Sequence, residues 1–131
     1  MAVLIAATLA VFTPLAKANE IQLNQFMVET PKGRQAVTLY IGTTGRNASV
    51  QACRYAPKLR DSVLGELNRA PAPLTPKGGV DLDKLQSRLK PVVLRALPPN
   101  LADGVRLVHG VPRLSSFAAK SLARIGCTIA D

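Results

Sequence analysis

The chain has 131 residues, with 17 Lys and Arg against 8 Asp and Glu, a formal charge of +9, one His, two Cys and no Trp. A chain of this length buries roughly two thirds of its unfolded surface, enough for one modest core, which excludes a two-domain enzyme with an interdomain cleft. So few His and carboxylate groups leave little material for catalysis, and the cationic excess points to an anionic neighbour: nucleic acid, an acidic membrane face or an acidic protein surface.

From Ala2 to Phe12 only Thr8 is polar, and Thr13-Pro14-Leu15 and Ala16-Lys17-Ala18 close the run. Such a stretch is too short for a hydrocarbon core that needs about 20 residues, but it suits the central region of a secretory signal, with Ala16 and Ala18 as the small residues of the cleavage site. No Lys or Arg precedes it. Segment 1–18 therefore reads as a cleaved signal peptide or as a short retained membrane anchor, the remaining reading being a buried helix of a cytosolic domain. Either of the first two places residues 19–131 outside the cytoplasm. Removing Lys17 leaves 16 basic against 8 acidic residues, a net of +8. Nucleic acid is not an expected partner in that compartment. The aromatics Phe26, Tyr40, Tyr55 and Phe117 are also too few for a base-stacking platform.

Ile21 to Val28 reads as a strand with Ile21 and Leu23 on one face and Phe26 and Val28 on the other. Thr30-Pro31-Lys32-Gly33 supplies turn residues, and Gln35 to Ile41 returns as a second strand with Val37, Leu39 and Ile41 on one side. An antiparallel hairpin follows. Gly42 to Gly45 ends it, and this Gly-Thr-Thr-Gly run lacks the Gly-Lys-Ser/Thr ending of a phosphate loop.

From Asn47 the apolar period becomes helical. Ala52, Ala56, Leu59, Val63 and Leu67 form one stripe, with Asn47 or Ser49 as the expected cap. Pro57 either kinks this helix or starts a fresh one at its first turn. Ala70 to Gly79, with Pro71, Pro73 and Pro76, stops the helix and reads as a stiff extended linker. Asp81 caps a second helix whose apolar side is Leu82, Leu85, Leu89, Val92 and Val93, with a kink expected at Pro91 and an end at Pro98-Pro99. Val105 to Val108 is a short strand expected beside the hairpin. Beyond it, Ser115 or Ser116 caps a helix through Phe117, Leu122 and Ile125, Gly126 breaks it, and Cys127 to Ile129 either adds a strand or simply packs. The fold class is α+β: a small antiparallel sheet, made of the N-terminal hairpin plus a later strand, covered on one face by two helices. Residues 19–110 make that domain and 111–131 a C-terminal extension without an assigned fold.

Chemically, His109 has no companion ligand and no nucleophile elbow, and reads as a partly exposed residue at a strand end. Asp81 and Asp83 lack the further oxygen ligands of a calcium loop and fit helix capping. Asn47-Ala48-Ser49 matches a glycosylation sequon, which has meaning only in a eukaryotic secretory path. No catalytic residue, metal or cofactor is expected. Cys53 and Cys127, 74 positions apart, are either a disulfide, natural in an oxidising compartment and worth on the order of 4 kcal/mol, or two separately buried small hydrophobes. Arg54, Lys58 and Arg60 crowd one helix, and Lys84, Arg88 and Lys90 the other. Each trio is either a solvated face or a patch for anionic lipid or an acidic protein segment.

The order of these segments resembles the flagellar basal-body-associated FliL family. Leu23 to Ile41 (LNQFMVETPKGRQAVTLYI) is similar to that family's opening hairpin. Pro57 to Leu64 (PKLRDSVL) is similar to its stretch of proline, basic residue, aliphatic and Arg-Asp before the helix body, and Gly79 to Leu97 to its second helix. The resemblance implies a stomatin-like domain at the periplasmic face of the inner membrane, which assembles into homo-oligomeric rings around the flagellar stator. The alternative is a soluble periplasmic accessory or binding protein, unrelated to the motor, that associates with anionic envelope components.

Overall fold

A computed structural model describes residues 19–130, so that segment 1–18, with the expected cleavage residues Ala16 and Ala18, lies outside the described residues, as does Asp131. The described chain is α+β: strands β1 (Glu20–Leu23), β2 (Phe26–Thr30) and β3 (Gly33–Thr43), helices α1 (Arg46–Cys53), α2 (Ala56–Arg69) and α3 (Leu82–Ala96), strand β4 (Ala102–His109), helix α4 (Ser116–Ile125) and strand β5 (Cys127–Ala130).

The first predicted strand is interrupted at Asn24-Gln25. Both halves pair antiparallel with the same partner, β1 with the far end of β3 (Ile21 opposite Ile41) and β2 with its near end (Phe26 opposite Val37). From Gln22 to Phe26 the first strand takes four steps, while β3 takes three from Tyr40 to Val37. That extra residue is a bulge, and it reverses the side-chain alternation. Ile21, Leu23, Phe26 and Val28 are consequently all buried in one core, where the uninterrupted reading put the second pair on the opposite face.

The bulge leaves the carbonyls of Asn24 and Gln25 outside the ladder, and Arg60 takes them. Its guanidinium donates to Asn24 O at 3.2 Å and Gln25 O at 3.4 Å and lies 4.7 Å from the centroid of the Phe26 ring. Arg60 is in place because α2 starts afresh at Ala56 with Pro57 in its first turn, where the missing N–H costs nothing, and because Leu59, fully buried, fixes the rotation of the helix. The two-helix option for Pro57 is the one observed. The helix before it, α1, starts one residue ahead of Asn47 and has no side-chain cap. Ser49, expected as a cap, is instead buried, with its hydroxyl 2.5 Å from that of Thr43.

Two faces follow from the period of two. On the helix side, Val37, Leu39 and Ile41 of β3 and Val105 and Leu107 of β4 meet Leu59 and Val63 of α2 and Leu85, Leu89 and Val93 of α3. On the other side a polar row crosses three strands. Arg106 bonds both oxygens of Glu20 at 2.7 and 3.0 Å and lies 4.3 Å from the Tyr40 ring centroid. Burial raises the Tyr40 phenol above its ordinary value of 10.0 against the pull of Arg106. α3 runs through Pro91 to Ala96 and is capped by the Asp81 carboxylate, which accepts from Lys84 N at 3.1 Å. Gln86 on α3 also accepts from Leu107 N at 3.1 Å, so a side chain occupies a backbone donor on β4.

Two segments differ from the sequence expectation. The proline-rich stretch is a folded loop, because Leu74 bridges Val80, Asp81 N donates to Pro73 O and Gln35 Oε1 accepts from Val80 N. Residues beyond 110 also belong to the same domain. Ser115 caps α4, Gly126 ends it in the left-handed conformation, and β5 pairs with β1 over four residues, from Leu23 opposite Cys127 to Glu20 opposite Ala130.

Arg60 joins a backbone defect to a helix through charged hydrogen bonds, so Arg60→Ala is expected to lower unfolding stability by about 1–3 kcal/mol, whereas the exposed Arg54→Ala stays within about 0.5 kcal/mol. Urea unfolding followed by far-UV circular dichroism checks both, and equal effects would remove the clamp.

Candidate interaction surface

The structure divides the predicted basic patch. Arg54, Lys58, Lys84 and Lys90 are exposed. Arg60 is engaged at the bulge, and Arg88, with its side chain only 21% exposed, is engaged at the proline loop. Arg88 donates to the Glu66 carboxylate at 2.8 Å and to the carbonyls of Glu66, Ala70 and Pro71 at 2.8, 2.7 and 2.7 Å. These are backbone acceptors that the end of α2 leaves behind, so Arg88 acts as a C-terminal cap supplied by the neighbouring helix. Of the six cations in the two trios, Arg60 and Arg88 therefore hold the fold. Lys58 lies beside Arg95 in a hollow of about 300 Å³ between α2 and α3.

Glu66 is the anion of this network, bonded to Arg88 and to Arg69 at 2.5 and 3.0 Å. The hydrogen bonds from Arg69 and Arg88 hold its carboxyl at about 2, below its ordinary 4.5. His109 stands exposed at the end of β4 opposite Val37, and Asp83 in the first turn of α3. The described residues contain no group of three or more potential metal ligands.

The second assembly lies at the other end of the sheet. Cys53, the last residue of α1, and Cys127, the first of β5, are joined in a disulfide with Cα atoms 5.6 Å apart. Both cysteines line a groove of about 490 Å³ between α1 and α4, together with Thr128 and Ile129 of β5. Val50 on α1 and Phe117, Ala118 and Ile125 on α4 supply its apolar walls, and Arg46 and Arg54 line it as well. Phe117 is 83% exposed, Ile125 56% and Val50 39%. The helix expected through Phe117, Leu122 and Ile125 is α4. Only Leu122 is buried. The signal was in the spacing: Phe117, Ser121 and Ile125 recur every four residues, a stripe of their own beside the one that carries Leu122.

No family model matches the chain, and neither a curated protein nor a solved structure is significantly similar to it.

Two expectations follow. The folded Glu66 carboxyl titrates far below an unfolded one, so its network contributes fully above about pH 4.5 and loses that contribution as the pH falls toward 2. In urea titrations across that window, Glu66→Gln should flatten the acid decline of stability, and an unchanged slope would show that other carboxylates set it. The disulfide closes a long loop, so the Cys53→Ala/Cys127→Ala double variant should lose about 4 kcal/mol, measured by denaturant unfolding under non-reducing conditions.

Proposed function

We propose that this chain is a non-enzymatic, exported interaction protein that acts by self-association and partner binding at the flagellar stator or basal body, as its resemblance to the FliL family implies. The observation that carries the reading is the open apolar surface around Cys53–Cys127, where Val50, Phe117 and Ile125 face outward together beside Arg54. Grouped apolar side chains rimmed by polar ones mark places where a partner is bound. Two further features support it. The disulfide suits an oxidising compartment outside the cytoplasm. The Pro57-to-Leu64 stretch and the hairpin from Leu23, two of the three segments that carry the resemblance, are locked to each other by Arg60.

The second reading, a periplasmic accessory protein unrelated to the motor, is favoured by the exposed cations Lys58, Lys84, Lys90 and Arg95 on the helix pair, which suit anionic envelope components. Deletion of the gene in the bacterium that encodes it separates the two. The motor reading expects cells that still carry flagella but swim poorly, with swimming restored by the wild-type chain and not by Phe117→Asp. Unaltered swimming, with the protein released from the envelope fraction by a salt wash, leaves the accessory reading in its place.

A further inference from the structure

The groove between α1 and α4 has the dimensions of a built site, within the range of about 300–1,000 Å³ usual for binding clefts, but its apolar lining continues out over its lip. Phe117, at 83% exposure, projects from the rim and would remain in water if a small molecule filled the hollow alone. Val50 and Ile125 lie on the two facing helices, so an occupant that covers all three must bridge from α1 to α4. An amphipathic helix laid across the groove does this, with side chains at i, i+3, i+4 and i+7 entering it.

The charge at the site selects the flanks of that helix. Arg54 lines the groove and, among the described residues, no carboxylate does, while Lys120 and Arg124 stand exposed on α4. A second copy of this basic chain would bring these cations against their like, which opposes self-docking here; acidic side chains beside the apolar stripe of a partner complement them. The disulfide adds rigidity where it is needed. It ties the end of α1 to the start of β5, immediately after the Gly126 stop of α4, so the two walls are held at a fixed separation before a partner arrives.

We infer that the α1–α4 groove is the docking site for an acidic amphipathic helix of a partner protein, with Val50, Phe117 and Ile125 as the apolar contacts and Arg54 as the principal charge contact. This rests on the reading of the chain as an interaction protein and names the chemistry of its partner.

The test uses the purified full-length oxidised chain and a fluorescein-labelled peptide of about 18 residues, with Leu at i, i+3, i+4 and i+7 spacing and Glu on both flanks. Fluorescence anisotropy should show saturable binding with Kd on the order of 10–100 μM. Phe117→Asp and Val50→Asp should each weaken it by at least about tenfold, and Arg54→Glu should weaken it several-fold while reducing its salt dependence. Phe117 and Val50 are exposed, so circular dichroism spectra and melting curves should match wild type and confirm that the variants fold. Equal binding of a Lys-flanked or scrambled peptide overturns the inference, as does binding that the groove variants leave unchanged. So does failure of the Glu peptide together with groove-dependent sedimentation on phosphatidylglycerol vesicles, or with a dimer that Phe117→Asp dissociates. Because the readout is binding in vitro, a swimming defect without peptide binding would refute the acidic helix and leave the interaction-protein reading intact.

Discussion

The fold depends on a one-residue offset. Without the extra residue at Asn24-Gln25, strict alternation would send Phe26 and Val28 to the face that carries Glu20, Gln22 and Tyr40, and the hairpin would have no continuous apolar side on which helices could pack. The offset restores that side but frees two carbonyls from the ladder. Arg60 answers both needs from one position: it donates to the freed oxygens and lays its guanidinium on Phe26, the first residue whose facing the offset reverses. Its own placement depends on Pro57 opening α2 and on Leu59 turning that helix into the core. Strand defect, helix start and cation form one structural unit.

The same logic recurs at the other end of α2. Prolines in the loop after Arg69 cannot donate backbone hydrogen bonds, and the final carbonyls of the helix have no intrahelical partners. Arg88, one helix away, supplies several donors at once, a geometry suited to the guanidinium fork and not to a lysine ammonium. Glu66 fixes the direction of that fork and is shared with Arg69. A formal charge of +9 therefore overstates the cationic surface offered to partners, because part of it satisfies backbone oxygens inside the molecule.

These functions explain what was legible in the sequence and what was not. Periodicity revealed β3, α2 and α3 and their buried residues, because Val37, Leu39 and Ile41, or Leu85, Leu89 and Val93, repeat at spacings that one-sided burial imposes. Asp81 and Ser115 were legible as caps, since a helix start has a chemical signature. The bulge had a trace, the apolar switch from odd to even positions after Leu23, but a strand that changes face is equally consistent with that trace, and only pairing to β3 distinguishes them. Arg60 and Arg88 could not be separated from Arg54 and Lys58 by spacing. Their acceptors come from residues 35 and 36 positions away for Arg60 and 17 to 22 for Arg88. The C-terminal strand was open for the same reason, because four residues acquire strand geometry only by pairing with β1.

That last strand bears on why an apolar stripe faces outward at all. A terminal helix is ordinarily held by a broad apolar face, and α4 has only Leu122 buried. What holds it is mostly not its own packing: Ser115 fixes its start, Gly126 turns the chain directly into β5, and β5 is secured on both sides, by hydrogen bonding to β1 and by the bond from Cys127 to Cys53. A covalent tether contributes the stability that apolar burial would otherwise supply, as is common where the core is small. With its position set by cap, turn and cross-link, α4 keeps Phe117, Ser121 and Ile125 out of the core, where they line the groove together with Val50 of α1.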